Sequence, residues 1–220
     1  MHETPIIQAW PFCIGSTVMQ PFETGHQYDA IAPLWDENRR TSSHVVRFVE
    51  RAIALCRARR RALDVGCGSG GQMMEKLLAA GFAVTGIDVS TGMLDIAKSR
   101  HPSVEFVHDD ITEWESTLRF DLILAWDSIF HLPHGSHALV IGKLCSYLSE
   151  GGVLLFSAGG IDGKVVGPMH GHEFHYSSLS DTRLIELIKR GGCVPVLMER
   201  DQYPLHHLAV IGVKAELGPV

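Results

Sequence analysis

The segment LDVGCGSGG at positions 63–71 follows a short apolar run and precedes a stretch with helical spacing. Gly66, Gly68 and Gly71 fit G-x-G-x-x-G, the glycine turn that lets backbone pass close to a ligand at the edge of an α/β sheet. On its own that pattern is weak. Asp64, two positions before the first glycine, sharpens it. A dinucleotide would bring its pyrophosphate charges toward that carboxylate, whereas a ligand with an ammonium group and no phosphate would be drawn to it. NAD-dependent oxidoreduction is therefore disfavoured.

The rest of the chain alternates strand and helix. Strands are expected at 61–65, 82–88, 104–108, 120–126 and 153–158, and helices at 43–58, from the glycine loop to about position 80, at 90–99 and at 136–148. Ser43 and Ser90 stand as helix caps. The strand cores are apolar runs rather than alternating ones, as in a parallel sheet covered on both faces. Near the end, a helix at 179–190 precedes strands at 193–200 and 206–214. The short link between the last two is too brief for a crossover helix, so they should pair antiparallel. The expected fold is α/β: a Rossmann-like, doubly wound, seven-stranded and mostly parallel sheet with an antiparallel C-terminal hairpin. Residues 1–27 read as an N-terminal arm or pocket cover, and 28–220 as a single domain. Within it Tyr28–Asp36 (YDAIAPLWD) forms a short helical segment interrupted by Pro33.

Composition removes several function classes. With 19 basic and 25 acidic residues the chain carries a net charge of −6, a poor match for nucleic acid. Eight of the basic residues lie between Arg39 and Arg61. No aromatic interleaving accompanies them, so they read as a solvated helix face and strand entry. Five cysteines without C-x-x-C spacing argue against a disulfide framework or zinc knuckle and fit a cytoplasmic location. The uncharged run from Thr4 to Phe22 contains Pro5, Pro11 and Pro21, which excludes a clean spanning helix, and no Lys or Arg precedes it, which speaks against a secretory signal.

Acidic residues recur at the strand ends. Asp88 closes the second strand, where a carboxylate can accept from both ribose hydroxyls. Asp109 and Asp110 follow the third, placed to accept from an adenine amino group. Singly each would pass for a loop or cap residue. An ordered set following a glycine loop is more specific.

LDVGCGSGG, GIDVS, HDDI, FDLILAWDSIFHL and LSEGGVLLFS, in this order, resemble the motifs of class I S-adenosylmethionine-dependent methyltransferases over roughly residues 28–214. The resemblance implies S-adenosylmethionine as cofactor and S-adenosylhomocysteine as product. It implies that Asp64 and Gly66 hold the methionine end, with Gly68 permitting close passage and Cys67 alongside. It places Asp88 at the ribose hydroxyls, with Val89 and Met93 also against the cofactor, and Asp110 with Ile111 at adenine, though Asp109 stands where the family carries a small residue and either aspartate can face the base. Ala125 and Trp126 would flank the sulfonium, and Tyr28 would close over it.

Methyl transfer from a sulfonium asks for in-line positioning, exclusion of water and, for some acceptors, removal of a proton. Two histidine groups fall where the acceptor would lie: His131, His134 and His137, and then His170, His172 and His175. His134 and His137 read as solvated positions at a helix start, while His131 divides evenly between proton acceptor and packed loop residue. The segment MHGHEFHYSSL resembles a pattern of bacterial small-molecule methyltransferases, which adds His172 and Tyr176 as catalytic candidates and Met169 and Phe174 as acceptor-pocket lining. Asp127 and Ser128, directly after Trp126, either orient a polar group of the acceptor, which makes Asp127 a pocket candidate, or cap a turn. The H-x-x-H pairs lack the spacing of a helical zinc site and the segment reads as loop, so no metal is expected. The sequence thus points to methylation of a small molecule, with methylation of RNA or protein, or cofactor binding without catalysis, as alternatives.

Overall fold

The computed structural model describes residues 19–39, 45–202 and 206–216. Most of the expected N-terminal arm, the Ser43 cap and Cys13 lie outside these residues. The elements run α1 (Pro21–Arg39), α2 (Val46–Leu55), β1 (Arg61–Val65), α3 (Gln72–Ala79), β2 (Ala83–Asp88), α4 (Thr91–Arg100), β3 (Glu105–His108), β4 (Phe120–Ala125), α5 (His137–Tyr147), β5 (Leu148–Ala158), β6 (Gly163–Met169), β7 (His172–Ser178), α6 (Asp181–Arg190), β8 (Cys193–Arg200) and β9 (Leu208–Lys214). Seven strands form one sheet in the order β3-β2-β1-β4-β5-β9-β8. The pairings of β2 with β3, β1 with β2 and β4, and β4 with β5 are parallel. β9 runs antiparallel to both β5 and β8, which makes it the reversed strand that the short final connection required.

The apolar runs are buried because helices cover both faces. Every residue of β4 is buried. On one face Phe48 and Val49 of α2 and Met74 and Leu77 of α3 pack against Leu122 and Leu124. On the other, Val140 and Leu144 of α5 and Leu184 and Ile188 of α6 pack against Ile123 and Leu154. Strand order reverses between β1 and β4, and the crevice beyond the carboxyl ends of those strands is where ligands of open α/β sheets sit.

Three expectations need correction. First, α1 is one helix through Pro33, and it begins at Pro21, so it crosses the position expected to separate arm from domain. Pro33 lies on its exposed face. Polar anchors rather than an apolar stripe hold this helix. Asp29 Oδ1 accepts from Ser90 Oγ at 2.6 Å and from the Gly92 amide at 2.8 Å. Both Asp36 oxygens accept from Arg100 at 2.8 Å. At Gly25 the helix meets the sheet edge so closely that a Cβ would lie 2.3 Å from the Val89 carbonyl oxygen.

Second, the histidine segment read as loop is an antiparallel hairpin, β6–β7, with Gly167 facing Phe174 and Met169 facing His172. It packs under α1 through a small cluster of Ile31, Met169 and Phe174, edged by Tyr28, Trp35 and Tyr176. Third, His137 is buried rather than solvated, because its side chain turns from the start of α5 toward β7 and meets Ser177 Oγ at 2.8 Å. Desolvation holds it at a pKa of about 4.

Candidate active site

A cavity of about 660 Å³ opens at the carboxyl ends of β1, β2 and β4, within the range of small-molecule sites. The glycine loop forms its floor. The Gly66 and Cys67 amides both donate to the Ile87 carbonyl, tying the β1–α3 turn to β2. Gly66 has φ +67°, and a Cβ there would lie 2.2 Å from Ser128 Cβ, so the turn requires glycine on two counts.

The strand-end acids arrive as the sequence ordered them. Asp64, Asp88, Asp109 and Asp110 all line the cavity, with Gly68, Val89, Met93, Ile111 and Trp126. Asp64 is buried, and desolvation, reinforced by the neighbouring Asp88 charge, pushes its pKa up to about 7. Asp88 is organised differently. Its Oδ2 accepts from the Gly68 amide at 2.8 Å and its Oδ1 from the Ser90 amide at 2.9 Å. Burial raises its pKa, against those amides. Of the two aspartates after β3, Asp110 is the buried one; its Oδ1 caps the Thr112 amide, and its own amide donates to Asp109 Oδ1.

Ala125 does not line the cavity. It is fully buried between the sheet and the α5–α6 layer, one residue short of where β4 opens. The lining at that point comes instead from Trp126, Asp127, Ser128 and Ile129. Asp127 takes φ +50°, a conformation aspartate tolerates better than most residues. Its Oδ1 accepts from His207 Nε2 at 2.8 Å, and Asp201 takes the other ring nitrogen. The two carboxylates outweigh burial and raise the His207 pKa to about 9. This buried charged chain was not legible in the sequence, because His207 and Asp127 stand 80 residues apart. Ser69 and Arg100 were missed too. Ser69 Oγ donates to Asp36, and Arg100 bonds both Asp36 and the Ser69 carbonyl, joining glycine loop, α4 and α1.

His131 sits in the cavity wall with its ring buried. Its Nδ1 lies 3.0 Å from the His175 carbonyl and its Nε2 2.9 Å from the Tyr28 hydroxyl. Desolvation lowers its pKa to about 4. The remaining candidates of the second histidine group stand behind it, outside the cavity lining. His172 Nδ1 bonds Gln27 Oε1 at 2.9 Å and so ties β7 to α1. Tyr176 lies against the His131 ring with centroids 4.8 Å apart, its hydroxyl pushed by burial to a pKa of about 12. Phe174 is fully buried beneath Tyr28, and Met169 packs beside it. These four are held as support for Tyr28 and His131, since the hairpin turns its inner face to α1 rather than to the cavity. No group of three or more metal-ligating side chains occurs among the described residues.

The cavity's charge is one-sided. Seven carboxylates line it, among them Glu75, against two cations, Lys76 and Arg100. Both cations are already paired, with Glu50 and Asp36. Three buried polar atoms of the wall, Thr24 Oγ1, Trp126 Nε1 and Ser128 Oγ, have no hydrogen-bond partner among the described residues.

A methyltransferase domain family model matches residues 35–188. The chain belongs to that family. A trans-aconitate 2-methyltransferase from Rhizobium etli is 39% identical over 99 residues, which is 43% of this chain and 37% of that protein. The match thus spans well under half the length of that curated relative. Among solved structures, Burkholderia thailandensis 1,6-didemethyltoxoflavin-N1-methyltransferase, bound to 1,6-didemethyltoxoflavin and S-adenosylhomocysteine, aligns with a TM-score of 0.63. It is 21% identical, and the alignment covers 94% of this chain and all of that one. The cyclase SpnF aligns with a TM-score of 0.68 at 17% identity, covering 90% of this chain and 97% of its own. Both share the fold, and the second shows that the fold alone does not select methyl transfer. No helix among the described residues is long and apolar enough to cross a membrane.

Proposed function

We propose that this domain binds S-adenosylmethionine in the β1–β2–β4 crevice and transfers its methyl group to a small molecule by in-line displacement. The observation that carries the reading is the ordered set of acids on three successive strand ends, lining a cavity whose two cations are already paired. That set of acceptors suits an ammonium, a ribose and an adenine amino group, and repels a pyrophosphate. The unpartnered Thr24, Trp126 and Ser128 atoms add polar capacity that a ligand would use. When bound, the cofactor supplies an activated methyl on a sulfonium.

The chain's own residues then bind, orient and exclude water. In the proposed arrangement Asp64 takes the ammonium, Asp88 the ribose hydroxyls and Asp110, with Ile111, the adenine. Trp126, Asp127 and Ser128 border the reacting end, and α1 covers it. The same acidic lining disfavours a polycarboxylate acceptor, so trans-aconitate, the substrate in the names of the curated relatives, fits this cavity poorly. An uncharged or cationic acceptor suits it.

Thermal unfolding with S-adenosylmethionine, S-adenosylhomocysteine and NAD, each at about a hundred times its Kd, tests the cofactor. A true ligand contributes about 2.7 kcal/mol, or roughly 5–10 °C for a domain of this size. Shifts with the two sulfur compounds alone support the reading. A shift with NAD alone overturns it.

A further inference from the structure

We infer that Tyr28 and His131 form a proton relay in which the Tyr28 hydroxyl, on the covering helix, is the group that meets the acceptor. The inference rests on the methyl transfer proposed above and names the acceptor class: a small molecule whose nucleophile still carries a proton, an O–H or N–H.

The hydrogen bonds fix the direction. The His175 carbonyl can only accept, so the neutral His131 ring carries its proton on Nδ1, and Nε2 is left with a lone pair. Tyr28 donates to that lone pair at 2.9 Å. The ring's flanks are closed by Phe130, Tyr176 and Phe174, with centroids 4.9, 4.8 and 5.8 Å away. A proton from the cavity therefore reaches Nε2 through the Tyr28 oxygen. Tyr28 and His131 both line the cavity, with Trp126 and Asp127.

The balance is simple. As the acceptor X–H bond breaks, its proton passes to Tyr28 Oη while the Tyr28 proton passes to His131 Nε2. The X electron pair forms the new bond to the methyl carbon, and the pair of the broken S–C bond stays on sulfur. Tyrosine is neutral before and after, and the proton ends on histidine. An acceptor that is already a carboxylate needs no such relay.

The groups facing His131 are Tyr28 from α1, His175 and Tyr176 from β7 and Asp127 beyond β4. Long-range proton–nitrogen NMR of the chain labelled with ¹⁵N-histidine, bound to S-adenosylhomocysteine between pH 5 and 8, reads the tautomer. The expected result is a neutral His131 with its proton on Nδ1 throughout, and an Nε2 shift that moves to an unbonded value in Tyr28→Phe. A proton on Nε2, or an imidazolium at pH 7, overturns the relay. Failure of S-adenosylhomocysteine to bind would instead remove the methyl-transfer reading beneath it.

S-adenosylhomocysteine release is then followed with phenols and aryl amines against polycarboxylates. Turnover of the protic set, with kcat about 100-fold lower in Tyr28→Phe and His131→Gln and the affinity for S-adenosylhomocysteine within threefold, is the expected pattern. Turnover confined to polycarboxylates, or an unchanged kcat in Tyr28→Phe, overturns it. If neither set reacts, the tautomer decides.

Discussion

Cofactor binding should release a proton, and Asp64 is the source. Its buried carboxyl titrates near pH 7, raised first by desolvation and then by Asp88. A ligand ammonium placed against it favours the ionised form and returns the pKa toward the carboxylate range. The sign follows. The ligand binds the ionised site better, so affinity rises with pH up to about 7 and levels above it. With a free pKa of about 7 and a bound value several units lower, the affinity for S-adenosylhomocysteine should weaken about tenfold from pH 8 to pH 6. At pH 7, half of the free sites are protonated, so each binding event should release about half a proton. Titration calorimetry at pH 6, 7 and 8, in two buffers of different ionisation enthalpy, measures both quantities. 5′-Methylthioadenosine, which lacks the ammonium, should show neither, and Asp64→Asn should abolish both. A pH-independent affinity with no proton release would refute the placement of an ammonium at Asp64. Thermal stability of the free protein is a poorer readout. The raised Asp64 makes stability fall as pH climbs from about 4 to 7, while the lowered His131 and His137 make it rise between about 4 and 6.5.

Three further outcomes are expected. Gly66→Ala should lose most of its S-adenosylhomocysteine affinity in calorimetry, because the new Cβ meets Ser128 in a left-handed turn; near-normal binding would show that the turn relaxes without cost. His207→Ala should destabilise the fold by about 3–5 kcal/mol in urea denaturation at pH 7, since it removes the cation that both Asp127 and Asp201 bond. In the native chain that contribution is present below about pH 6.5 and is lost as pH rises through about 9, so an unchanged stability at pH 7 would refute the charge assignment. Asp29→Ala should release α1 from the start of α4, raising amide exchange across residues 21–38 and speeding S-adenosylhomocysteine dissociation in stopped flow; unaltered exchange would mean that the other contacts of α1 hold the helix without Asp29.

What could be read in advance was whatever repeats a local rule. Apolar runs between turn signals gave the central strands, and a serine before a helical stretch gave the Ser90 cap, whose Oγ accepts from the Met93 amide. The length of the last connection gave the reversed strand. The acids were legible because each sits at a strand end, where topology alone carries it to the same edge. The covering helix was harder. α1 is held by Asp29, Asp36 and a close contact at Gly25, so its apolar residues show no stripe, and Pro33 reads as a break although it stands on an exposed face. The β6–β7 hairpin escaped for a related reason. Val165, Met169 and Phe174 are its buried apolar side chains, and histidines and glycines blur the alternation between them. His172 and Tyr176 were misplaced with it, since a loop lets a side chain point anywhere and a paired strand does not. The Asp127–His207–Asp201 chain and the Arg100–Asp36 pair join segments far apart in sequence, and no local pattern announces such a meeting.

The reversed strand has a consequence for how this domain can change. Parallel strands deliver their ends to the ligand crevice, but β9 runs the other way and delivers its beginning, which is how His207 comes to stand under Asp127. The cavity wall at Asp127 is therefore held in part by His207, just before β9 and 80 residues away along the chain. Substitutions at Asp201 or His207 can reshape the wall at Asp127 while leaving Asp64, Gly66 and Asp88 untouched. One end of the cavity is thus free to change shape while the carboxylates at the other end stay in place.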